Sequence, residues 1–300
     1  MITHDDLARA TDSMVEVEFS VAALDLAGND PGHTILGFLD DPKFLPSAAR
    51  NPSLAAVLVT PSLAASARER LSDEVQVVVV DDPRWSFYTL HNVIASAGPL
   101  ETEPSVIHPR AQVHPLAFVD EIGVRIAEGA VVEPHATVLR SAVIGAGAVI
   151  RAGAVIGTPG FEHKRTSRGV LSIVHDGETR IGAGTEVGSL TTIARGFARR
   201  HTSLGADCRI DSNVMIAHSS QLGDRVFVAG GSVLSGSTDV GDDVWIGPGV
   251  TLIDSVKVGA GARIGIGSVV FTKVAPGTRV LGNPAMPPRR RRPDASSEAS

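Results

Sequence analysis

The chain has 300 residues, of which 43% are hydrophobic and 20% charged, and its formal net charge is −6. This composition predicts a soluble globular protein with a sizeable core, and the acidic balance argues against nucleic acid as the main partner. The single cysteine, Cys208, excludes an intramolecular disulfide framework and favours a reducing compartment. Apolar stretches fall short of the ~20 residues that span a bilayer, and acids stand near the N-terminus where a signal peptide has bases. We therefore expect a cytoplasmic protein without a membrane span.

The first part of the chain has the pattern of a small α/β domain. Residues 55–60 and 75–82 are short apolar runs typical of buried strands. Residues 62–71 and 83–96 have the pattern of helices that follow these strands. The sequence therefore predicts an α/β domain over residues 1–103, joined to the rest by a Pro- and Gly-containing linker near 98–105.

A six-residue repeat dominates the rest of the chain. A branched aliphatic stands at all twelve positions spaced six apart from 204 to 270, and a small residue stands four positions after nearly every one of them. An earlier block with the same pattern runs from Ile107 to Ile156, and a short third run extends from Ile181 to Ile193. The twelve aliphatics are Leu204, Ile210, Ile216, Leu222, Val228, Leu234, Val240, Ile246, Leu252, Val258, Ile264 and Val270.

A period of six residues fits neither an α-helix nor a β-hairpin, but it fits a triangular prism. One short strand lies on each flat face, the chain turns at each corner, and three repeats complete one coil. The aliphatic residue points inward and the small residue fits the tight corner. We therefore predict a parallel β-helix over residues 104–285.

Two breaks in the repeat mark loops, where function tends to reside. Residues 157–180 separate Ile156 from Ile181 and contain two histidines and a basic cluster. The second break, residues 194–203, holds Arg195, Arg199, Arg200 and His201. Four basic or potentially basic groups in one short loop of an acidic protein suggest an anion site, while a solvated loop remains the alternative.

The stretch "DSNVMIAHSSQLGD", residues 211–224, places one histidine inside this repeat. His218 comes two positions after the inward aliphatic Ile216, so the pattern predicts that it points outward near the end of a strand. Two interpretations remain open: an exposed surface histidine, or a base that faces a cleft between subunits.

Residues 286–300 form a tail rich in proline, arginine and serine, and we expect it to be flexible. Its four arginines, Arg289 to Arg292, suit either an acidic partner such as an acyl carrier protein or simple solvation.

Several motifs together resemble the LpxD-type UDP-3-O-acylglucosamine N-acyltransferases, which act in lipid A synthesis. "GFLDDPKFL" (37–45) is similar to the family's F-L-x-N-P-K-Y segment, and "GTPGF" (157–161) to its G-x-D-G-F. "IARG" (193–196) resembles I-D-R-G, and "IDSNVMIAHS" (210–219) resembles I-D-N-x-x-Q-I-A-H-N. The resemblance covers nearly the whole chain. It implies a left-handed helix, homotrimers of three prisms, and active sites between neighbouring subunits.

The resemblance also implies roles for individual residues. Phe38 and Phe44 would grip a uracil ring, with Lys43 beside them in the same motif. His218 would be the catalytic base, and the backbone N–H of Gly236 would bind the oxyanion. Arg195, His175, Asp211 and Ser255 fall on further substrate-binding positions.

The chain departs from the family pattern around the same site. Ala194 replaces the family's aspartate, Ser219 its asparagine, and His175 its glutamine, while Asp254-Ser255 replaces a Gly-His pair. These departures bear on the acceptor and on the thioester donor.

The sequence therefore favours an acyltransferase that moves an acyl group from a thioester to the amine of a UDP-amino sugar. The donor would be the 4′-phosphopantetheine of an acyl carrier protein, or CoA, with no tightly bound cofactor. One alternative is an acetyl- or acyl-CoA-dependent transferase of a specialised polysaccharide or natural-product pathway with another acceptor. A zinc-dependent carbonic anhydrase is disfavoured because His201 and His218 are far apart and no third histidine follows at a suitable spacing, so we predict no metal. The remaining alternative, a non-catalytic nucleotide-sugar scaffold, would leave the I-A-H segment without a purpose.

Overall fold

The computed structural model describes residues 1–98, 103–198, 200–284 and 286. The described residues form two compact units, one built from residues before 99 together with Phe161–Asp176, and the other from the remainder. The expected boundary near residue 103 adjoins residues 99–102, which lie outside the described range. Arg199 and, beyond Met286, the arginine tail also lie outside it.

The first unit contains the expected α/β domain. Its four-stranded sheet has the order β3-β4-β5-β6 and is parallel throughout. A separate antiparallel pair of short strands, β1 and β2, precedes this sheet in the chain. The strands are β1 (Ile2–Thr3), β2 (Ser20–Val21), β3 (Ala23–Leu24), β4 (Ile35–Leu39), β5 (Leu54–Val59) and β6 (Gln76–Val79). The helices are α1 (His4–Thr11), α2 (Leu45–Ala48), α3 (Pro61–Arg70) and α4 (Pro83–Ser96), with a 3₁₀ turn at Pro42–Phe44.

Strands β5 and β6 and helices α3 and α4 confirm the elements expected from the sequence. Strand β6 ends at Val79, earlier than the predicted residue 82, because Asp82 already caps α4. The Trp85 amide donates to Oδ1 of Asp82 at 2.8 Å, and Pro83 occupies the first turn of the helix, where its missing N–H costs nothing.

The long insertion at 157–180 contains an antiparallel hairpin, β16 (His163–Thr166) and β17 (Gly169–Ser172), which belongs to the first unit. The Ser167 amide donates to Oδ2 of Asp82 at 2.6 Å, and the guanidinium of Arg168 lies 3.7 Å from the Trp85 ring centroid. The compact unit therefore includes a segment that the contiguous sequence division assigned to residues 104–285. Side-chain contacts across 80 or more residues of chain, invisible in a local pattern, hold the hairpin there.

The second unit is a parallel β-helix with three faces. Each face is a sheet whose neighbouring strands come from successive coils. Face 1 contains β7 (Val106–Ile107), β10 (Arg125–Ile126), β13 (Ala142–Ile144), β18 (Thr179–Ile181), β21 (Thr202–Leu204), β24 (Gln221–Leu222), β27 (Asp239–Val240) and β30 (Lys257–Val258).

Face 2 and face 3 repeat this arrangement. Face 2 contains β8 (Gln112–Val113), β11 (Val131–Val132), β14 (Val149–Ile150), β19 (Glu186–Val187), β22 (Arg209–Ile210), β25 (Phe227–Val228), β28 (Trp245–Ile246), β31 (Arg263–Ile264) and β33 (Arg279–Val280). Face 3 contains β9 (Phe118–Val119), β12 (Thr137–Val138), β15 (Val155–Thr158), β20 (Thr192–Ala194), β23 (Met215–Ile216), β26 (Val233–Leu234), β29 (Thr251–Leu252) and β32 (Val269–Val270).

The aliphatic residues predicted to point inward form the core of the β-helix. The twelve aliphatics from Leu204 to Val270 are all buried, and so are the small residues four positions after them. Several corner hydroxyls donate to backbone carbonyls of the next coil, as Thr185 does to Gly205 O at 2.7 Å and Ser232 to Gly247 O at 3.0 Å. Small polar residues are tolerated inside because their hydroxyls find partners there.

Most corners contain one residue with a positive φ. On two of the three edges this residue is usually glycine, asparagine or aspartate, which adopt that conformation readily. On the edge that joins face 3 to face 1 it is a serine at Ser141, Ser219, Ser237 and Ser255, with φ between 57° and 65°. A positive φ costs serine more conformational free energy than it costs glycine, so this edge differs chemically from the others.

Within the part of the chain that the structure describes, every helix is too short or too polar to cross a bilayer.

Candidate active site

Three successive turns place His218, Gly236 and Asp254 in one column. These turns follow β23, β26 and β29 on face 3, whose strands pair in register, Met215 with Val233 and Val233 with Thr251. The backbone ties the turns together, because the Ser237 amide donates to His218 O and the Ser255 amide to Gly236 O, each at 2.9 Å. We call this edge, residues 217–220, 235–238 and 253–256, the histidine edge.

The side chain of His218 is buried rather than surface-exposed. The residue is only 8% exposed, and its ring packs edge-on against Phe197, with 5.2 Å between centroids and 71° between planes. The interpretation of His218 as an exposed surface histidine is therefore wrong. The pattern missed this because Phe197 comes from the five-residue bulge of the preceding coil, which breaks the repeat.

Gly236 lies directly against the imidazole. A Cβ atom on Gly236 would stand 2.5 Å from Cε1 and 2.8 Å from Nε2 of His218. Both distances are shorter than any normal non-bonded contact, so only glycine leaves room for the ring in this position. The imidazole nitrogen that faces Gly236 is Nε2.

The N–H of Gly236 differs from three amides at the same turn position on the other two edges. The amides of Ala206, Asp224 and Gly230 donate to aspartate carboxylates on neighbouring turns, at 2.8, 2.9 and 3.0 Å. Among the described residues, the Gly236 amide has no such acceptor. Its N–H is therefore available to a ligand beside Nε2 of His218.

Asp254 and Ser255 complete the column. Asp254 stands one coil after Gly236, whereas His218 stands one coil before it. Oδ1 of Asp254 would lie 2.9 Å from a Cβ atom on Gly236. Oδ2 accepts a hydrogen bond from Oγ of Ser255 at 2.9 Å. Ser255, a predicted substrate-binding residue, is exposed and orients this carboxylate. Sequence reasoning noted Asp254 only as a departure, although the 18-residue spacing of His218, Gly236 and Asp254 equals one full coil.

Arg195 occupies the corresponding turn one coil before His218, because Thr192 pairs with Met215. Its amide donates to Thr158 O at 2.9 Å, and its side chain is partly buried. The structure thus brings Arg195, His218, Gly236 and Ser255 to the same edge.

A cavity of about 520 Å³ opens on face 1 beside the histidine edge. Basic side chains line it together with hydroxyls from the edge and the carboxylate of Asp239. The lining includes Arg180, Arg200, His201, Ser219, Ser255 and Lys257. The predicted anion site in the 194–203 loop remains a hypothesis, and Arg199 lies outside the described residues.

The buried residue Glu178 forms hydrogen bonds with two residues that line this cavity, Arg180 and His201. Glu178 accepts hydrogen bonds from Arg125 and Arg180, and its backbone amide donates to Nδ1 of His201 at 3.0 Å. Burial raises the pKa of Glu178, but the two arginines outweigh it and hold that pKa below its ordinary value. Because a backbone N–H only donates, Nδ1 of His201 is the acceptor nitrogen of that ring.

Asp211, another predicted substrate-binding residue, lies on a different edge. It follows β22 in the turn that joins face 2 to face 3, where its carboxylate accepts from the amides of Ser212 and Gly230 at 2.7 and 3.0 Å. It lines a second cavity of about 420 Å³ with Arg209, Phe227 and Trp245. Within one chain the structure therefore separates Asp211 from His218 by one side of the prism.

The remaining predicted binding residues lie in the first unit. Phe38 packs against Phe87 and Tyr88, with ring centroids 5.0 and 5.7 Å apart. Phe44 is 46% exposed, and Nζ of Lys43 lies 4.8 Å from its ring centroid.

His175 is the one predicted binding residue that stands on the inserted hairpin segment. It is buried in the first unit, with Nδ1 3.1 Å from Ile173 O. The predicted roles of Phe38, Phe44, Lys43 and His175 in binding stay predictions.

No group of three metal-binding side chains occurs in the described ranges.

The β-helix matches a known repeat family. Residues 201–236 and 237–272 match the family described as bacterial transferase hexapeptide (six repeats). These two segments contain the whole column from His218 to Asp254.

Relatives of the chain share one name. The UDP-3-O-acylglucosamine N-acyltransferase of Maricaulis maris is 49% identical over 135 residues, which cover 45% of this chain and 39% of that protein. The enzyme of the same name from Bordetella pertussis is 27% identical over 267 residues, covering 72% of each chain. In four further relatives of this name the match spans only 17% to 24% of their length.

A solved structure shares the fold. A crystal structure of a UDP-N-acetylglucosamine acyltransferase superposes with a TM-score of 0.51 at 23% identity, covering 62% of this chain and 72% of that chain. This similarity confirms the predicted left-handed parallel β-helix. Two segments of the chain thus match hexapeptide repeats, and parts of the chain are similar in sequence to UDP-3-O-acylglucosamine N-acyltransferases, the family that its motifs resemble.

Proposed function

We propose that this protein transfers an acyl group from a thioester to the amine of a UDP-amino sugar. The observation that carries the proposal is the contact between His218 and Gly236, in which Nε2 lies 2.8 Å from the place of a Cβ on Gly236. A base and an oxyanion donor side by side are the two groups that aminolysis of a thioester needs.

The reaction would proceed by direct attack. The amine nitrogen forms a bond to the thioester carbonyl carbon while His218 accepts a proton from that nitrogen. The carbonyl oxygen becomes an oxyanion, and the N–H of Gly236 donates a hydrogen bond to it. The C–S bond then breaks, and the imidazolium returns the proton to the leaving sulfur, so that amide and thiol are the products. Burial against Phe197 keeps the imidazole in one orientation.

The acceptor assignment rests on the relatives and on the first unit. The relatives named above act, by their names, on UDP-3-O-acylglucosamine. The exposed ring of Phe44 and the neighbouring Lys43 offer a face and a charge that suit a uridine nucleotide. The donor would be the 4′-phosphopantetheine of an acyl carrier protein.

A CoA-dependent transferase with another acceptor is the second candidate. Ser219 and Asp254-Ser255 favour it, because these departures stand on the histidine edge itself, and Ala194 ends strand β20 one coil earlier on face 3.

One assay distinguishes the candidates. Purified protein is given UDP-3-O-acylglucosamine with 3-hydroxyacyl carrier protein and acetyl-CoA together, and the products are identified by mass spectrometry. We expect the hydroxyacylated sugar. An acetylated sugar would favour the second candidate, and the absence of both products would contradict the proposed acceptor.

We also propose that the protein assembles as a homotrimer through face 3. The outward residues of face 3 carry no charge among the described strands, whereas both other faces carry several. A sheet face of this composition is suited to packing against another sheet. The outward residues are Phe118, Thr137, Val155, Thr192, Met215, Val233, Thr251 and Val269.

Light scattering tests this assembly. We expect the mass of three chains for the native protein and a smaller mass for Val155→Asp, because a carboxylate would be buried without a partner. Val143→Asp, which adds the same charge on the outward side of face 1, should leave the mass unchanged. A single-chain mass for the native protein would contradict the trimer.

A further inference from the structure

The column on the histidine edge contains a carboxylate that the acyl-transfer steps above do not use. Asp254 stands one coil beyond Gly236, as His218 stands one coil before it. Nε2 of His218 and Oδ1 of Asp254 lie 2.8 and 2.9 Å from the same point, the place that a Cβ on Gly236 would occupy. The missing side chain of Gly236 thus lets a base and a carboxylate approach one small space.

The carboxylate is oriented toward that space. Oδ2 of Asp254 accepts from Oγ of Ser255 at 2.9 Å, which leaves Oδ1 on the side of Gly236. At the same turn position on the neighbouring edge, Asp224 and Asp242 use Oδ1 to accept the amide of the preceding coil, at 2.8 and 2.9 Å. Asp254 makes no such bond to the Gly236 amide among the described residues.

No cation of the described chain neutralises this carboxylate. Asp239 has Lys257 at 3.9 Å and Asp243 has Arg225 at 2.7 Å, but Asp254 forms no ion pair with a described residue. Asp254 is exposed, so a ligand can reach it. An oriented carboxylate without a cation, beside a base and an available N–H, suits a ligand that brings its own positive charge.

We propose that Asp254 binds the amino group of the acceptor as an ammonium ion and so makes this site select amines over hydroxyls. The inference rests on the proposed function, because it assigns the acceptor's reacting group. A primary amine beside electron-withdrawing substituents has a pKa of about 8, so much of it is ammonium at neutral pH. Asp254 attracts this form, whereas a neutral hydroxyl gains nothing from the charge.

Two proton transfers then balance the reaction. The bound ammonium first gives one proton to solvent by way of His218 and becomes a nucleophilic amine. As the C–N bond forms, the nitrogen gives a second proton to His218, which passes it to the leaving sulfur. The products are amide, thiol and one released proton.

A binding experiment tests the selection without depending on turnover. UDP-glucosamine and UDP-glucose differ only in an amine or a hydroxyl at the reacting position, and calorimetry gives the affinity of each. We expect the native protein to prefer the amine by about tenfold, as for one charge-assisted hydrogen bond at a partly exposed site. Asp254→Asn keeps the shape of the side chain and should bring the ratio of the two affinities close to one, mainly by lowering the affinity for UDP-glucosamine.

The matched control is Asp242→Asn, which removes an exposed carboxylate from the same turn position on the neighbouring edge. This variant should retain the tenfold preference. An undiminished preference in Asp254→Asn, with a normal melting temperature, would overturn the role of Asp254 while leaving the proposed function intact. If the native protein bound neither nucleotide, the UDP-sugar acceptor itself would be wrong, and the assignment of Asp254 would fall with it.

Discussion

Replacement of His218 by alanine is expected to lower the rate of acyl transfer by about 10²- to 10⁴-fold, the usual contribution of a general base. The side chain is 8% exposed, packs on Phe197 and presents Nε2 to the space beside Gly236. Its loss removes the proton acceptor but leaves the backbone N–H of Gly236 in place. The expected result is therefore a fall in kcat with a nearly unchanged KM for the nucleotide sugar. The mass-spectrometric assay with the preferred donor, followed over time, measures both constants.

His114→Ala provides the matched control. His114 is an exposed turn histidine near the first coil, where Nδ1 accepts the Leu116 amide at 3.1 Å. We expect this variant to keep native activity. A His218→Ala variant with native kcat would show that another group accepts the proton, and the non-catalytic scaffold or another base would then be favoured.

Replacement of Gly236 by alanine is expected to reduce kcat by at least about 10²-fold, because the added methyl group collides with the catalytic ring. The Cβ would stand 2.5 Å from Cε1 of His218, so the imidazole must leave its position between Phe197 and Gly236. The methyl group would also crowd the space beside the oxyanion-binding N–H. The measurement is kcat together with the melting temperature, since the collision also strains the fold.

The double variant His218→Ala/Gly236→Ala tests whether the collision with the imidazole causes the loss of stability. Without the imidazole the closest remaining atom is Oδ1 of Asp254, 2.9 Å from the Cβ, and this exposed side chain can rotate away, so the melting temperature should recover relative to Gly236→Ala alone. Its kcat should be close to that of His218→Ala, because the two residues act as one unit and their effects do not add. Equal destabilisation of the single and double variants would place the strain elsewhere than at the ring.

The β-helix could be predicted from sequence because its signal is local and repeated. Ile216, Leu222 and Val228 follow one another at six-residue intervals, and each has to be buried in the same way. The helix period also fixes which residues stack, so that His218, Gly236 and Asp254 fall in one column once a coil is known to contain 18 residues. A repeated pattern of this kind averages over many positions and tolerates single exceptions.

The details of the site could not be predicted in the same way. Phe197 covers His218 from a bulge whose length breaks the repeat, and this contact excludes the exposed surface histidine, one of the two interpretations that the sequence left open. The insertion around His163–Ser172 joined the first unit through Asp82, Trp85 and Asn92, far away in the chain. Asp211, seven residues before His218, lies on another edge because strand β23 of face 3 stands between the two turns.

The sequence by itself determined the repeat, the aliphatic residues that point inward, the corner positions and the residue types that match the family motifs. These follow from the spacing of apolar and small residues, which the burial of hydrophobic surface enforces at every coil. The tertiary structure alone decided what covers His218, where the insertion packs, how Asp254 is turned, and which residues share an edge. Those depend on hydrogen bonds and contacts between segments distant in the chain, which leave no periodic trace in the sequence.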